Sequence, residues 1–155
     1  MRNSRVDRIL NFRRITDLIG TAGQPTAEQF ADIKASGYEV VINLAMTDST
    51  NAVPNEAELV VGQGLEYVHI PVVWEKPTSQ DLERFFGAMA RYQGRRVFIH
   101  CAMNWRVSAF VFLHRVIVQH EPKETARETL EDVWQPNATW AGFIAQALED
   151  QKVQD

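Results

Sequence analysis

The chain has 155 residues, of which 45% are hydrophobic and 23% charged, and 16 basic against 20 acidic side chains give a formal net charge of −4. This composition is ordinary for a globular protein and excludes a wholly disordered or low-complexity chain. A mildly acidic chain has no general attraction for nucleic acid or anionic membranes. The sequence contains no run of 18 apolar residues, so it predicts no membrane span. The length predicts a single domain over residues 1–155, in which residues 1–11 form a solvated N-terminal arm.

Cys101 is the only cysteine in the sequence. A single thiol excludes an internal disulfide framework and a multi-thiolate metal site, and leaves a buried thiol or a nucleophile. No group of His, Cys, Asp and Glu has the spacing of metal ligands, so we expect no metal and no cofactor. The first ten residues, MRNSRVDRIL, lack the apolar core of a signal peptide, which predicts a cytoplasmic location or a chain from which a signal has already been removed.

Helical and strand patterns alternate along the chain. Thr26 and Gln29 have capping-box spacing and predict a helix that Gly37 ends. Apolar runs then predict strands over 38–44, 65–70 and 96–100, and the helical segments are expected over about 54–64, 78–92, 123–133 and 137–151. Together these elements predict a three-layer α/β/α fold with a mostly parallel central sheet.

The third predicted strand runs directly into Cys101, and an apolar helix follows a short loop. Ligand sites in parallel sheets lie beyond the carboxyl ends of the strands. Free amides and the helix dipole at a helix N-terminus favour an anion, so the same position stabilises both a thiolate and a bound phosphate. Arg106 adds a planar fork of donors for two oxyanion oxygens.

The segment HCAMNWRVS resembles the signature His-Cys-two residues-Gly-two residues-Arg-Ser/Thr of cysteine-dependent protein tyrosine phosphatases. The stretches TAGQPTAEQFADIKASGYEVVINLA, GLEYVHIPV and PTSQDLERFFGAM are similar, in order and spacing, to a bacterial phosphatase-like family. This family is the domain-of-unknown-function 442 group, related to the N-terminal part of beta-lactamase hydrolase-like proteins. The resemblance covers about residues 12–118 and implies a dual-specificity phosphatase-like fold.

The resemblance also implies roles for individual residues. Cys101 would form a phosphocysteine, Ser108 would assist the thiolate as leaving group, and His100 would hold the loop and tune the thiol. Asn43 matches a polar residue that braces the phosphate loop, although an asparagine at a strand end is equally well satisfied by a turn. The implied phosphate-binding loop consists of Ala102, Met103, Asn104, Trp105, Arg106 and Val107.

Two positions depart from the family signature. Asn104 stands at the glycine position, and asparagine tolerates left-handed backbone angles better than other non-glycine residues. Val107 occupies the arginine position, and Arg106 comes one residue early, about 100° away around a helix. Either the loop rewinds so that Arg106 contacts the phosphate, or Arg106 points elsewhere and the chain binds phosphate with little turnover.

A phosphatase of this kind also needs a general acid for the leaving oxygen. Relatives carry an aspartate on the loop after the preceding strand, and in this chain Glu75 is the only carboxylate on that loop, 72–77. Asp48 on the earlier loop is the second candidate. Asp81 is expected to pair with Thr78 at the start of a helix.

The function expected from these residues is hydrolysis of a phosphomonoester through a cysteinyl-phosphate, with a phosphorylated small molecule or a phosphoprotein as substrate. Two alternatives stay open. Rhodanese-like sulfurtransferases have a cysteine loop one residue shorter, which Cys101 to Arg106 matches, and a degenerate phosphatase fold would only bind an oxyanion. Trp74 and Trp105 are expected beside the site, where they either wall a substrate pocket or simply pack, and Trp134 and Trp140 are expected to anchor the last helices. The remaining histidines, among them His69 and His114, are expected to have ordinary structural roles.

Overall fold

A five-stranded sheet forms the centre of the computed structural model, which describes residues 4–151. The strands lie in the order β1-β2-β5-β3-β4, and β1 is antiparallel to β2 while all other neighbours are parallel. Their bounds are β1 (Arg13–Arg14), β2 (Ile19–Ala22), β3 (Val40–Asn43), β4 (Glu66–His69) and β5 (Val97–His100).

Six α-helices connect and cover the strands: α1 (Gln29–Ala35), α2 (Glu56–Gly62), α3 (Ser79–Arg91), α4 (Trp105–Leu113), α5 (Lys123–Val133) and α6 (Ala138–Asp150). A 3₁₀ helix covers Ser4–Arg8, and a π-helix over His114–Val118 continues directly from α4. No helix within residues 4–151 has the length and apolar character needed to cross a bilayer.

The two faces of the sheet belong to different cores, because alternate residues of a strand point to opposite sides. Val40 and Ile42 of β3 pack in a core with buried side chains of α3, α4, α5 and α6. Val41, between them, packs on the other side with Phe30 of α1 and Val60 of α2. Helices therefore cover both faces, and the predicted three-layer α/β/α fold is confirmed.

The N-terminal residues differ from the sequence-based expectation. Val6 and Ile9 are buried against the α1/α2 side of the sheet, with exposed fractions of 0% and 2%. The carbonyl of Leu10 accepts a hydrogen bond from Gly23 N at 2.7 Å. The expectation of a solvated arm over 1–11 is therefore wrong for Val6 and Ile9, whose apolar side chains pack against the sheet, whereas Arg5, Asp7, Arg8 and Leu10 are exposed as expected. Residues 1–3 lie outside the described part.

Parallel pairing places the last residues of four strands side by side at one edge of the sheet. Ala22 and Asn43 both pair with His100, and His69 pairs with Asn43. Cys101 follows His100, so this edge carries the candidate site. The predicted Thr78–Asp81 capping box is confirmed: each residue's side chain accepts a hydrogen bond from the other's backbone N–H, which fixes the end of the loop after β4.

Candidate active site

Cys101 lies between β5 and the first turn of α4, and its side chain is buried with an exposed fraction of 1%. Its backbone N–H donates to the carbonyl of Ala22 at 3.3 Å. The next carbonyl, of Ala102, accepts from Gln24 N at 3.0 Å and from Asn51 Nδ2 at 3.1 Å. The Ala102 carbonyl therefore points toward the segments that contain Gln24 and Asn51, and their hydrogen bonds hold the loop in place.

Asn104 makes the turn from this loop into α4. Its φ of +69° is in the left-handed region, which a glycine would otherwise supply. Its Nδ2 donates to the carbonyl of Asn11 at 2.9 Å and to Thr21 Oγ1 at 3.1 Å. Because the side chain points to these partners, it does not cap the helix, and the amides of the first turn of α4 stay available to an anion.

His100 connects this loop to a buried carboxylate that lies 44 residues earlier in the chain. Nε2 of His100 is 2.6 Å from Oε2 of Glu56, and Nδ1 is 3.2 Å from the carbonyl oxygen of Cys101. A carboxylate and a carbonyl only accept hydrogen bonds, so both contacts are made when both ring nitrogens carry a proton. His100 thus links the buried carboxylate of Glu56 to the backbone of Cys101.

Glu56 lies at the start of α2 and is only 7% exposed. Burial by itself would raise its pKa, but hydrogen bonds from His100, Gln24 and Tyr67, together with the His100 charge, hold the pKa of Glu56 below its usual value. Gln24 Nε2 donates to Oε1 of Glu56 at 2.9 Å. Burial raises the pKa of Tyr67 well above its usual range, so its hydroxyl stays protonated beside this carboxylate.

Asn43 takes part in the same group of polar side chains. Its Nδ2 donates to the hydroxyl of Tyr67 at 3.1 Å, and its Oδ1 accepts from the backbone N–H of Ala45 at 2.8 Å. In this structure Asn43 therefore satisfies the turn after β3. Its predicted contact with the phosphate loop is not among the hydrogen bonds of the described residues.

Arg106 is buried in the first turn of α4, with an exposed fraction of 6%. Its guanidinium donates from Nη1 to the carbonyl of Val72 at 2.8 Å, and its Cζ lies 5.9 Å from the ring centre of Trp74. Trp140 Nε1 donates to the carbonyl of Trp74 at 2.9 Å. The loop over 72–77 is thus attached both to the cysteine loop and to α6.

The four tryptophans of the chain form one cluster beside this loop. Trp105 and Trp134 are stacked at 5.2 Å, and Trp74 lies 5.5 to 5.7 Å from each of the other three rings. Trp140 is fully buried, as expected for an anchor, whereas the other three are partly exposed. The cluster ties the start of α4 to α6 and to the chain between α5 and α6.

The predicted role of Ser108 has no contact to support it in this structure. Its hydroxyl donates to the carbonyl of Trp105 at 2.9 Å and accepts from Trp134 Nε1 at 3.0 Å. The candidate acids Glu75 and Asp48 are both exposed on their loops. Within residues 4–151 no group of three or more His, Cys, Asp or Glu side chains is placed to hold a metal ion.

A cysteine loop joined to an uncapped helix at the carboxyl edge of a parallel sheet, in a three-layer fold, is the arrangement of the protein tyrosine phosphatase-like class. Residues 12–143 match the family model described as a dual-specificity and protein tyrosine phosphatase-type phosphatase fused to NAD⁺ kinase. The chain belongs to this family, and the resemblance noted in the sequence is confirmed.

Individual relatives agree with this assignment. The chain is 30% identical over 106 residues, 66% of its length, to a beta-lactamase hydrolase-like protein of Xylella fastidiosa strain Temecula1, and spans only 24% of that relative. A crystal structure of a domain-of-unknown-function 442 phosphatase candidate from Shewanella putrefaciens CN-32 superimposes with a TM-score of 0.87 at 30% identity, covering 96% of this chain and 97% of that one. PTPMT1 in complex with PI(5)P shares the fold, with a TM-score of 0.76 at 16% identity, covering 91% of this chain and 96% of PTPMT1.

Glu56 and Gln24 are the functional candidates that sequence reasoning missed. Glu56 precedes the buried Val60 by four residues, so both lie on the same face of α2, whereas Glu58 lies on an exposed face. That spacing was the available signal for a buried carboxylate. Gln24 lies in the GQPT segment, which the sequence analysis used only as part of the family resemblance and to which it assigned no contact.

Proposed function

We propose that this chain hydrolyses a phosphomonoester, with Cys101 as the nucleophile. The observation that carries the proposal is the position of Cys101 between β5 and the uncapped first turn of α4. The contact between His100 and the buried Glu56 supports it, because this contact fixes the residue that directly precedes Cys101.

In the proposed reaction the thiolate sulfur of Cys101 attacks phosphorus. A sulfur–phosphorus bond forms, the bond from phosphorus to the leaving oxygen breaks, and that oxygen takes a proton from a general acid. Water then attacks the phosphocysteine and passes a proton to the same carboxylate, the sulfur–phosphorus bond breaks, and inorganic phosphate leaves with the thiolate restored. Backbone amides of the first turn of α4 stabilise the charged oxygens in both steps.

Glu75 remains our candidate for the general acid. Its loop is attached at two points, Val72 through Arg106 and Trp74 through Trp140, so the loop has a defined position next to the cysteine loop. In this proposal Arg106 contacts phosphate with guanidinium N–H groups that do not donate to the Val72 carbonyl, so the loop stays attached.

The test is turnover of p-nitrophenyl phosphate by the wild-type chain and by Cys101→Ser. We expect Cys101→Ser to lose turnover, and Glu75→Gln to lower it by about 10²- to 10⁴-fold. Glu58→Gln changes an exposed carboxylate on α2 and is the matched control, expected to keep full activity. Unchanged turnover in Cys101→Ser would overturn the mechanism.

A second candidate function is the binding of an oxyanion without turnover. It is favoured by the contacts of Arg106 and Ser108, which in this structure are made to Val72, Trp105 and Trp134. Measurable affinity for inorganic phosphate together with no hydrolysis of varied phosphoesters would select it. Persulfide formation at Cys101 with thiosulfate, read by mass spectrometry, would instead select sulfur transfer.

A further inference from the structure

A large cavity lies at the opposite end of the sheet from Cys101. Its lining includes Ile19 and Val97, the first residues of β2 and β5, whereas Cys101 follows the last residue of β5. Its volume is about 790 Å³, within the range of cavities that hold small molecules. A ligand in this cavity would therefore be separate from the proposed phosphatase site.

The wall of this cavity is mainly apolar and includes side chains that the fold leaves partly uncovered. Phe86 and Met89 of α3 and Val111 of α4 contribute to the lining. Leu18 and Val118, also in the lining, are 40% and 45% exposed. Covering such side chains with an apolar ligand removes apolar surface from water and is favourable.

One polar side chain in the lining is nearly buried and makes no hydrogen bond to the described residues. The imidazole of His114 is only 8% exposed and packs against the rings of Phe85 and Phe86, yet makes no hydrogen bond within residues 4–151. Burial lowers the pKa of His114, against a smaller opposing effect of Glu121, so the ring is neutral at pH 7 and offers one donor and one acceptor. The ring nitrogens are not enclosed by the protein, so a ligand in the cavity would supply a hydrogen-bond partner in place of water.

The backbone at His114 is also unusual. His114 begins the π-helix over His114–Val118, and π-helical turns inside helices are rare and frequent at functional sites. The cavity is also lined by Arg115 and Val118 of this π-helix and by Gln119, which directly follows it.

The charged groups of the lining already have partners, Asp17 included, which favours a neutral ligand. Arg115 is paired with Glu121 at 2.8 Å and bonded to Thr129 at 3.0 Å. Arg95 is paired with Glu39 and Glu66 at 2.8 and 3.0 Å. Because both guanidinium groups already have acidic partners, neither offers a free charge to an anionic ligand.

We propose that this cavity binds a neutral, largely apolar molecule that carries one hydroxyl group, with the His114 imidazole as the hydrogen-bond partner of that hydroxyl. The site is independent of Cys101, so it stands whether or not the proposed phosphatase activity is found.

The test is a titration of the ¹⁵N-labelled protein with 4-butylphenol and with butylbenzene, which lacks the hydroxyl, followed by NMR. We expect saturable shifts of the His114 ring nitrogens and of amides in the π-helix with 4-butylphenol. We expect binding of butylbenzene to be weaker by about two- to tenfold, the effect of one hydrogen bond.

His114→Phe is the matched variant, because it keeps an aromatic ring against Phe85 and Phe86 and removes the hydrogen bond. We expect it to bind both probes with the same affinity. The absence of saturable shifts with 4-butylphenol, or equal affinity of the wild-type chain for the two probes, would overturn the proposal. The comparison of two probes on the wild-type chain keeps it testable if the variant does not fold.

Discussion

Replacing Glu56 by glutamine tests the buried pair that supports the cysteine loop. The carboxylate accepts from His100 Nε2 at 2.6 Å and from Gln24 Nε2 at 2.9 Å, and both partners are donors. A glutamine at position 56 has one oxygen and one NH₂ group, so it can accept from only one of these donors, and the other meets an N–H group.

The magnitude follows from this count. A buried donor left without a partner costs about 1–3 kcal/mol, and replacing a charged acceptor by a neutral one at the remaining contact costs about 1 kcal/mol more. We therefore expect Glu56→Gln to lower the free energy of unfolding by about 2–4 kcal/mol at pH 7. Glu58→Gln, two residues away and exposed, is expected to change it by no more than about 0.5 kcal/mol.

The assay is urea denaturation of both variants and the wild type at several pH values. The pKa of Glu56 in the folded chain lies below 4.5, its ordinary value, so its contribution is fully present above pH 4.5 and is lost as the pH falls below that value. The difference between wild type and Glu56→Gln should therefore shrink in acid. Equal stability of the two glutamine variants at pH 7 would refute the reasoning.

Two other substitutions test the cysteine loop. Asn104→Ala and Asn104→Gly both lose the two side-chain hydrogen bonds, but only glycine suits the φ of +69° at this position. In urea denaturation we expect Asn104→Ala to lower the free energy of unfolding by about 1–2 kcal/mol more than Asn104→Gly does. Equal losses would show that the backbone angle is not important. Arg106→Lys keeps the charge but removes the planar fork, and we expect affinity for inorganic phosphate, measured by calorimetry, to fall about tenfold or more; an unchanged affinity would show that Arg106 does not contact the anion.

Local chemistry explains which parts of the structure the sequence predicted well. The Thr78–Asp81 capping box and the left-handed angle at Asn104 depend on residues close in the chain and on the conformational preferences of single side chains. Strands β3, β4 and β5 and the buried helix after Cys101 follow from runs of apolar residues in the sequence. These features were enough to predict the layers of the fold and the position of the cysteine loop.

The missed elements depend on contacts between distant residues. β2 is a central strand but contains only Ile19–Ala22, with a glycine and no apolar repeat. A Cβ at Gly20 would lie 2.5 Å from the hydroxyl of Tyr38, so the glycine is required by a side chain 18 positions later. The spacing of Glu56 from Val60 indicates a buried carboxylate, but no local pattern reveals its hydrogen-bond partners, which lie 32 and 44 residues away.

Contacts with distant residues explain how the cysteine loop keeps its conformation with Asn104 at the glycine position of the phosphatase signature. The loop carbonyls of Ala102 and Met103 accept hydrogen bonds from Gln24, Asn51 and Asn11, which come from three separate segments. Asn104 adds its own two bonds, and bonds of this kind each contribute about 0.5–1.5 kcal/mol. The five bonds together contribute about 2.5–7.5 kcal/mol, which exceeds the cost of about 1–2 kcal/mol for a left-handed non-glycine residue. The surrounding segments, rather than glycine freedom, therefore hold the loop around Cys101 in its conformation.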